Sequence, residues 1–197
     1  MSLQNISFPG EKIKYITPTW DEMNELAWKL SRQLIQDNKQ FDRIVTLAKG
    51  GWPMARTMVD LLQLTKVASI GVKFYRGIYQ KLDRPEIYQD LPESIKGENI
   101  LLFDDCADSG GSLKFVKQHL EKNGSHTVTT AVLLYKPWSV IKPDYYGAQT
   151  TAWIIFPYER QETLKTLTDK WQDLPQAEVR GRLCKLLGKK IAAGTAA

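Results

Sequence analysis

The chain has 197 residues, 43% hydrophobic and 25% charged, which is enough for one sizeable core and short for two large domains. It has no apolar run of about 18 residues, so no membrane-spanning helix is expected, and Cys106 and Cys184 make neither a disulfide framework nor a metal-type spacing. The net charge of +5 hints at nucleic acid, but residues 179–197 hold five basic side chains and no acidic one, leaving 22 of each sign elsewhere. With a neutral body and no secretory pattern at the N-terminus, a cytoplasmic protein without a membrane or nucleic-acid partner is expected.

The first predicted helix runs from Trp20 to Ile35. Thr19 and Glu22 fit a capping box, and Met23, Leu26, Ala27, Leu30 and Leu34 recur on one face. Arg43–Ala48 reads as a buried strand that ends at Lys49-Gly50-Gly51. Pro53 suits the first turn of a helix reaching Leu64. Val67–Phe74 is a second strand. Residues 75–98 show no sustained period and are expected to form a long functional loop. Asn99–Phe103 is a third strand, apolar on both faces, ending at Asp104-Asp105. A helix over 111–123, a fourth strand Thr127–Tyr135, a fifth strand Thr151–Ile155 and a helical region from Glu159 complete the order. This succession predicts an α/β fold: an open parallel sheet flanked by helices, with ligands beyond the carboxyl ends of its strands.

Both Lys49-Gly50-Gly51 and Asp104–Ser112 fall at those ends. In the latter, an apolar strand delivers two acids, and Asp108, Ser109, Gly110, Gly111 and Ser112 lead into a helix. Glycines let backbone approach a phosphate, and a helix N-terminus offers N–H donors and a positive dipole. The loop lacks the Gly-Lys-Ser/Thr ending of a Walker A motif. Acids beside a phosphate cradle suit a ligand with hydroxyls and a phosphate, such as a ribose 5-phosphate.

These residues resemble the signature of the type I phosphoribosyltransferases: an apolar strand, two acids, a short variable stretch, then Asp-Thr/Ser-Gly-x-Thr/Ser. Asp104-Asp105-Cys106-Ala107-Asp108-Ser109-Gly110-Gly111-Ser112 fits throughout, with serines where threonines are commoner. Ala48-Lys49-Gly50-Gly51 is similar to the family's pyrophosphate loop, whose first peptide is often cis in the hypoxanthine–guanine and xanthine–guanine enzymes. Tyr75 matches the start of the mobile catalytic loop. Lys136 matches a lysine that contacts the six-position oxygen of a purine. Trp153-Ile154-Ile155-Phe156-Pro157-Tyr158-Glu159 resembles the segment Trp-Ile-x-x-Pro-Trp-Asp, with Glu159 longer than the usual acid. There the tryptophan stacks on the base and the backbone after it binds the two-position substituent. For Trp153 alone, ordinary core packing is the competing reading.

The resemblance covers roughly residues 14–165. It implies a domain over 14–175, with a small hood drawn largely from 136–165 and the N-terminal segment, followed by a basic helix or tail over 176–197. It further implies a magnesium-dependent (Mg2+) enzyme that joins a six-oxo purine to phosphoribosyl pyrophosphate, and a homo-oligomer. Asp108 would act as base, and Lys49, Gly50 and Gly51 would hold pyrophosphate. Asp104 and Asp105 would hold ribose hydroxyls and the metal, and Ser109 to Ser112 the 5-phosphate. A transferase for another base, or a regulatory protein of the same fold that binds nucleotides or RNA, are the alternatives. In the tail, Val179, Leu183, Leu186, Leu187 and Ile191 recur at helical spacing among the basic residues. That pattern predicts a helix docked on the body or a second subunit, with a nucleic-acid or membrane-surface role, or a disordered end, as the alternatives.

Overall fold

The computed structural model describes residues 3–75 and 81–188; the side chains of 74, 75 and 81–84 are not part of that description. In chain order the elements begin with β1 (Tyr15–Ile16), α1 (Trp20–Gln36), β2 (Arg43–Ala48) and α2 (Trp52–Leu61). They continue with β3 (Lys66–Tyr75), β4 (Lys81–Gln89), β5 (Asn99–Ala107), α3 (Gly111–Lys122) and β6 (Thr127–Tyr135). The last are β7 (Tyr145–Gln149), β8 (Trp153–Ile154), α4 (Arg160–Lys170) and α5 (Gln176–Leu187). The chain divides into two compact units, Met23–Thr150 and Met1–Glu22 with Thr151–Ala197. Among the described residues no helix is long and apolar enough to cross a membrane.

The larger unit is built on a six-stranded sheet in the order β4-β3-β2-β5-β6-β7. β3, β2, β5, β6 and β7 are mutually parallel, and β4 is antiparallel to β3. From β2 the chain proceeds outward through β3 and β4, then returns to place β5 on the other side of β2. The switch point of the sheet therefore lies between β2 and β5. Ile100, Leu101, Leu102 and Phe103 are wholly buried, as a central parallel strand covered on both faces requires. Leu113, Val116 and Leu120 bring α3 onto one face, against Val45, Ile70, Ile100, Leu102 and Val132.

Three sequence-based expectations need correction. First, β5 does not stop before the acids. It continues through Asp104, Asp105 and Cys106 to Ala107 because β6 pairs with it as far as Ala107↔Tyr135. Second, residues 75–98 are not one long loop. Lys81–Gln89 forms an antiparallel edge strand on β3, where Pro85 is tolerated because an edge strand can leave an N–H unpaired. The ladder is interrupted by register shifts, which hide the two-residue alternation that periodicity looks for. Third, the fifth parallel strand is Tyr145–Gln149, not 151–155. Asp144 locks its start, accepting from the Thr130 N–H and hydroxyl, each at 2.8 Å.

The smaller unit pairs β1 with β8 in a two-stranded parallel sheet. The capping box at α1 forms as expected: the Thr19 N–H donates to Glu22 Oε2 at 2.8 Å and the Glu22 N–H to Thr19 Oγ1 at 3.1 Å. Tyr15, Ile155, Leu167, Trp171, Leu183, Leu186 and Leu187 make one core, so α5 is docked through its apolar face. Glu11 sits at its polar centre. It accepts from Tyr15 at 2.5 Å, from Lys170 and Arg182 at 3.0 Å each, and from the Trp171 indole. Burial alone would raise the Glu11 pKa, but the Tyr15, Lys170 and Trp171 donors outweigh it and hold the carboxyl below its usual range.

At the amino ends of the parallel strands, Arg43 donates to Glu98 at 2.8 Å and to Glu93 at 3.1 Å, while Lys66 reaches Glu98 at 2.7 Å. This cluster ties the starts of β2 and β3 to the residue preceding β5. The Arg43 hydrogen bond, against the opposing effect of burial, brings the Glu98 pKa to about 2. Glu98 therefore adds stability in full above its ordinary value of 4.5, and this is lost as pH falls through the interval down to about 2. Glu98→Gln is expected to destabilise the protein by about 2 kcal/mol near neutral pH. In urea melts the gap from wild type should be narrower at about pH 3.5 than at about pH 7; a gap independent of pH would refute the ionic account.

Candidate functional site

Pairing between β2 and β5 ends at Thr46↔Phe103, whereas β5 runs on beside β6 to Ala107. The four residues of overhang open a crevice at the switch point, where open α/β sheets take ligands. The β2–α2 turn enters it. The Ala48–Lys49 peptide is cis, as the resemblance implied. The turn is closed by the Gly51 N–H on Leu47 O at 3.1 Å and the Trp52 N–H on Lys49 O at 3.2 Å, and Lys49 is exposed.

The Gly50 backbone lies directly against the Asp105 carboxylate. A Cβ at position 50 would fall 2.5 Å from Asp105 Oδ2 and 2.9 Å from its Cγ. Asp105 is 7% exposed, so its charge faces the β2–α2 turn rather than bulk water. Successive side chains of a strand leave on opposite faces. Asp104 therefore departs from the other side of β5, and its Oδ1 accepts from the Asp105 N–H at 3.0 Å. Between the acids and the loop, the Cys106 thiol is pushed up in pKa by burial and by the Asp105 charge, which makes it unsuited to nucleophilic work.

After β5 the chain turns at exposed Asp108 and Ser109 and enters α3 through Gly110, which has φ +76°. No side chain caps this helix. The Ser109 hydroxyl reaches the Gly111 N–H only at 3.4 Å, so the first-turn donors and the positive end of the helix dipole face the loop. A phosphate group can be held there by the backbone from Ser109 to Ser112 and by the two serine hydroxyls.

The turn after β6 closes over this loop. The Lys136 N–H donates to Ala107 O at 3.0 Å and the Val140 N–H to Ser109 O at 2.9 Å, one bond on either side of Asp108. Ser139 stands over Gly110 and fills the place of a side chain there. Lys136 is 4% exposed, and burial lowers its pKa against the opposing pull of Cys106 and Asp108. The Trp138 indole donates to Asp108 Oδ1 at 3.1 Å, and Lys136 Nζ lies 5.2 Å from the centre of its ring. Sequence reasoning singled out Lys136 but passed over Trp138. The available signal was an aromatic residue in a proline-containing turn at the carboxyl edge of the sheet.

The larger unit thus brings together Lys49, Gly50, Gly51, Asp104, Asp105, Asp108, Ser109, Gly110, Gly111, Ser112 and Lys136. Tyr75 ends β3, with its side chain outside the described residues, as is 76–80 of the expected catalytic loop. Trp153, Ile154 and Glu159 belong to the smaller unit. Trp153 is half-buried, stacks on Tyr15 at 5.8 Å and 26°, and carries Lys170 Nζ 5.6 Å from its ring centre. It packs against the core while keeping part of its surface exposed. Ile154 is buried in β8, and the Glu159 carbonyl accepts from the Thr163 N–H at 2.9 Å as α4 begins.

Comparison with known proteins agrees with this geometry. The phosphoribosyl transferase domain family matches residues 11–163. A xanthine-guanine phosphoribosyltransferase of Gluconobacter oxydans is 26% identical over 151 residues, covering 76% of this chain and 87% of its own. A hypoxanthine-guanine phosphoribosyltransferase of Streptococcus pneumoniae is 30% identical over 127 residues, covering 64% of this chain and 71% of its own. The crystal structure of a purine phosphoribosyltransferase from Pyrococcus horikoshii superimposes with a TM-score of 0.66 at 29% identity, covering 73% of this chain and 93% of that one. The chain belongs to the type I phosphoribosyltransferase family of enzymes, close to its xanthine–guanine and hypoxanthine–guanine members.

Proposed function

We propose that this enzyme transfers the phosphoribosyl group of phosphoribosyl pyrophosphate to a six-oxo purine, hypoxanthine, guanine or xanthine. The observation that carries the reading is the buried Lys136, which feels the charge of the exposed Asp108 carboxylate and shares Trp138 with it, beside the uncapped start of α3. O6 and N7 are neighbours on one edge of such a purine. A cation suits the oxygen and a carboxylate suits the N7 proton. The names of the similar proteins support the same substrate class.

In the reaction the purine N9 forms a bond to C1 of the ribose while the bond from C1 to pyrophosphate breaks, and the N7 proton passes to Asp108. The transition state has oxocarbenium character, so positioning and charge stabilisation supply most of the acceleration. The 5-phosphate is held by 109–112, and Lys49 with the Gly50 and Gly51 amides receives the leaving pyrophosphate. Among the described residues no group of three or more His, Cys, Asp or Glu could cage a metal. The adjacent carboxylates of Asp104 and Asp105 are hard oxygen donors that suit magnesium, which keeps waters and substrate oxygens and needs one or two carboxylates. Asp104 and Asp105 would hold it, directly or through ribose hydroxyls and water. When bound, magnesium neutralises charge on the departing pyrophosphate.

A panel of hypoxanthine, guanine, xanthine, adenine, uracil and orotate, each with phosphoribosyl pyrophosphate and magnesium, tests the reading. Nucleotide is expected with one or more six-oxo purines and is lost on chelation. Product with none of them, while phosphoribosyl pyrophosphate still binds, would transfer the protein to a regulatory role. Asp108→Asn should lower kcat by about 100-fold or more with the KM for phosphoribosyl pyrophosphate within about twofold. Gly50→Ala should displace the Asp105 carboxylate and cut kcat/KM for phosphoribosyl pyrophosphate at least about tenfold at an almost unchanged melting temperature.

A further inference from the structure

Trp138 is 54% exposed, an unfavourable place for the largest apolar side chain, yet both of its recognition surfaces are engaged. Its indole N–H donates to Asp108 Oδ1 at 3.1 Å. Its ring lies 5.2 Å from Lys136 Nζ. The segment that carries it is fixed at both ends on the phosphate loop, by the Lys136 N–H on Ala107 O and the Val140 N–H on Ser109 O. Within the segment, the Ser139 N–H donates to Lys136 O at 3.0 Å and the Ser139 hydroxyl to Ile141 O at 2.8 Å. Trp138 is therefore delivered to Asp108 by a braced turn rather than by chance of surface packing.

We infer that Trp138 is a positioning residue that orders Asp108 and Lys136 as one unit facing the N7–O6 edge of the base. The inference rests on the substrate reading above. Asp108 is exposed and sits in a turn, where an unrestrained carboxylate would sample several rotamers. An indole has one donor in a fixed direction. Bonded to Oδ1, it fixes the carboxylate plane and leaves Oδ2 to meet the purine. The ring face meanwhile confines the Lys136 ammonium. Trp138 acts through these two groups and supplies no proton of its own.

The test compares wild type, Trp138→Phe and Trp138→His with guanine and hypoxanthine as acceptors, and with 7-deazaguanine as a competing base without an N7 proton. Trp138→Phe keeps a ring beside Lys136 and removes the donor. It is expected to lower kcat about tenfold, leave the KM for both substrates within about twofold, and leave 7-deazaguanine inhibition unchanged. Trp138→His, which restores an N–H, should recover part of kcat. Undiminished kcat in Trp138→Phe would overturn the inference, as would an equal loss of purine turnover and 7-deazaguanine binding, the pattern of a merely structural residue. If wild type itself turns over no six-oxo purine, the substrate reading fails first, and the inference falls with it.

Discussion

The site depends on an inequality of strand lengths. β5 continues four residues past its last pairing with β2 because β6 is long enough to satisfy its other edge. Without β6 the backbone of 104–107 would have no ladder, and the acids would sit in a loop. Without the early end of β2 there would be no gap for the Lys49-Gly50-Gly51 turn to enter. Gly50 fills that gap against Asp105 so closely that a side chain there would have to displace the Asp105 carboxylate. A parallel sheet with a switch point supplies the crevice, and the overhang gives it a rigid acidic wall.

Charge in the crevice is arranged by burial as much as by proximity. Asp104, Asp105 and Asp108 lie within five residues of one another, which would be repulsive in a compact cluster. Strand alternation separates the first two, and Asp108 projects from the turn beyond. The positive partners are Lys136, whose backbone is fixed on Ala107 O and whose stem is buried beside the Trp138 ring, and the start of α3, whose dipole is part of the backbone. Such fixed dipoles and charges need little reorganisation during reaction, which is the condition for electrostatic catalysis. The half-buried thiol of Cys106 follows the two acids on β5 as a small neutral group.

The smaller unit uses charge for a different purpose. Arg182, one of the basic residues that gave the C-terminal segment its polyanion-binding look, is 6% exposed. It bonds Glu11, Glu178 and the Pro9 carbonyl. With Lys170, Tyr15 and Trp171 it surrounds a single carboxylate, so the network is well satisfied and rigid. Trp153 rests on Tyr15 within that assembly, and its ring is therefore braced by the same contacts that dock α5.

The sequence by itself determined the elements whose cause is local. The capping box at Thr19, the apolar face of α1, the strands Arg43–Ala48 and Thr127–Tyr135, and the glycine-bearing turn into α3 follow from residue type and spacing. Together with the Asp104–Ser112 motif they were sufficient to recognise the family and to put the candidate site at the carboxyl end of β5. What depends on partners distant in the chain was decided only by tertiary structure. The extension of β5 needs β6. The edge strand Lys81–Gln89 needs β3 and is masked by register shifts. The short strand Tyr145–Gln149, with two tyrosines and a glycine, shows no alternation and is anchored through Asp144 and Thr130. Trp138 meets Asp108 thirty residues away because two backbone bonds fold one turn over another. Periodicity reports which face of an element is buried; which element lies beside it is set by packing and pairing between segments that the sequence holds far apart.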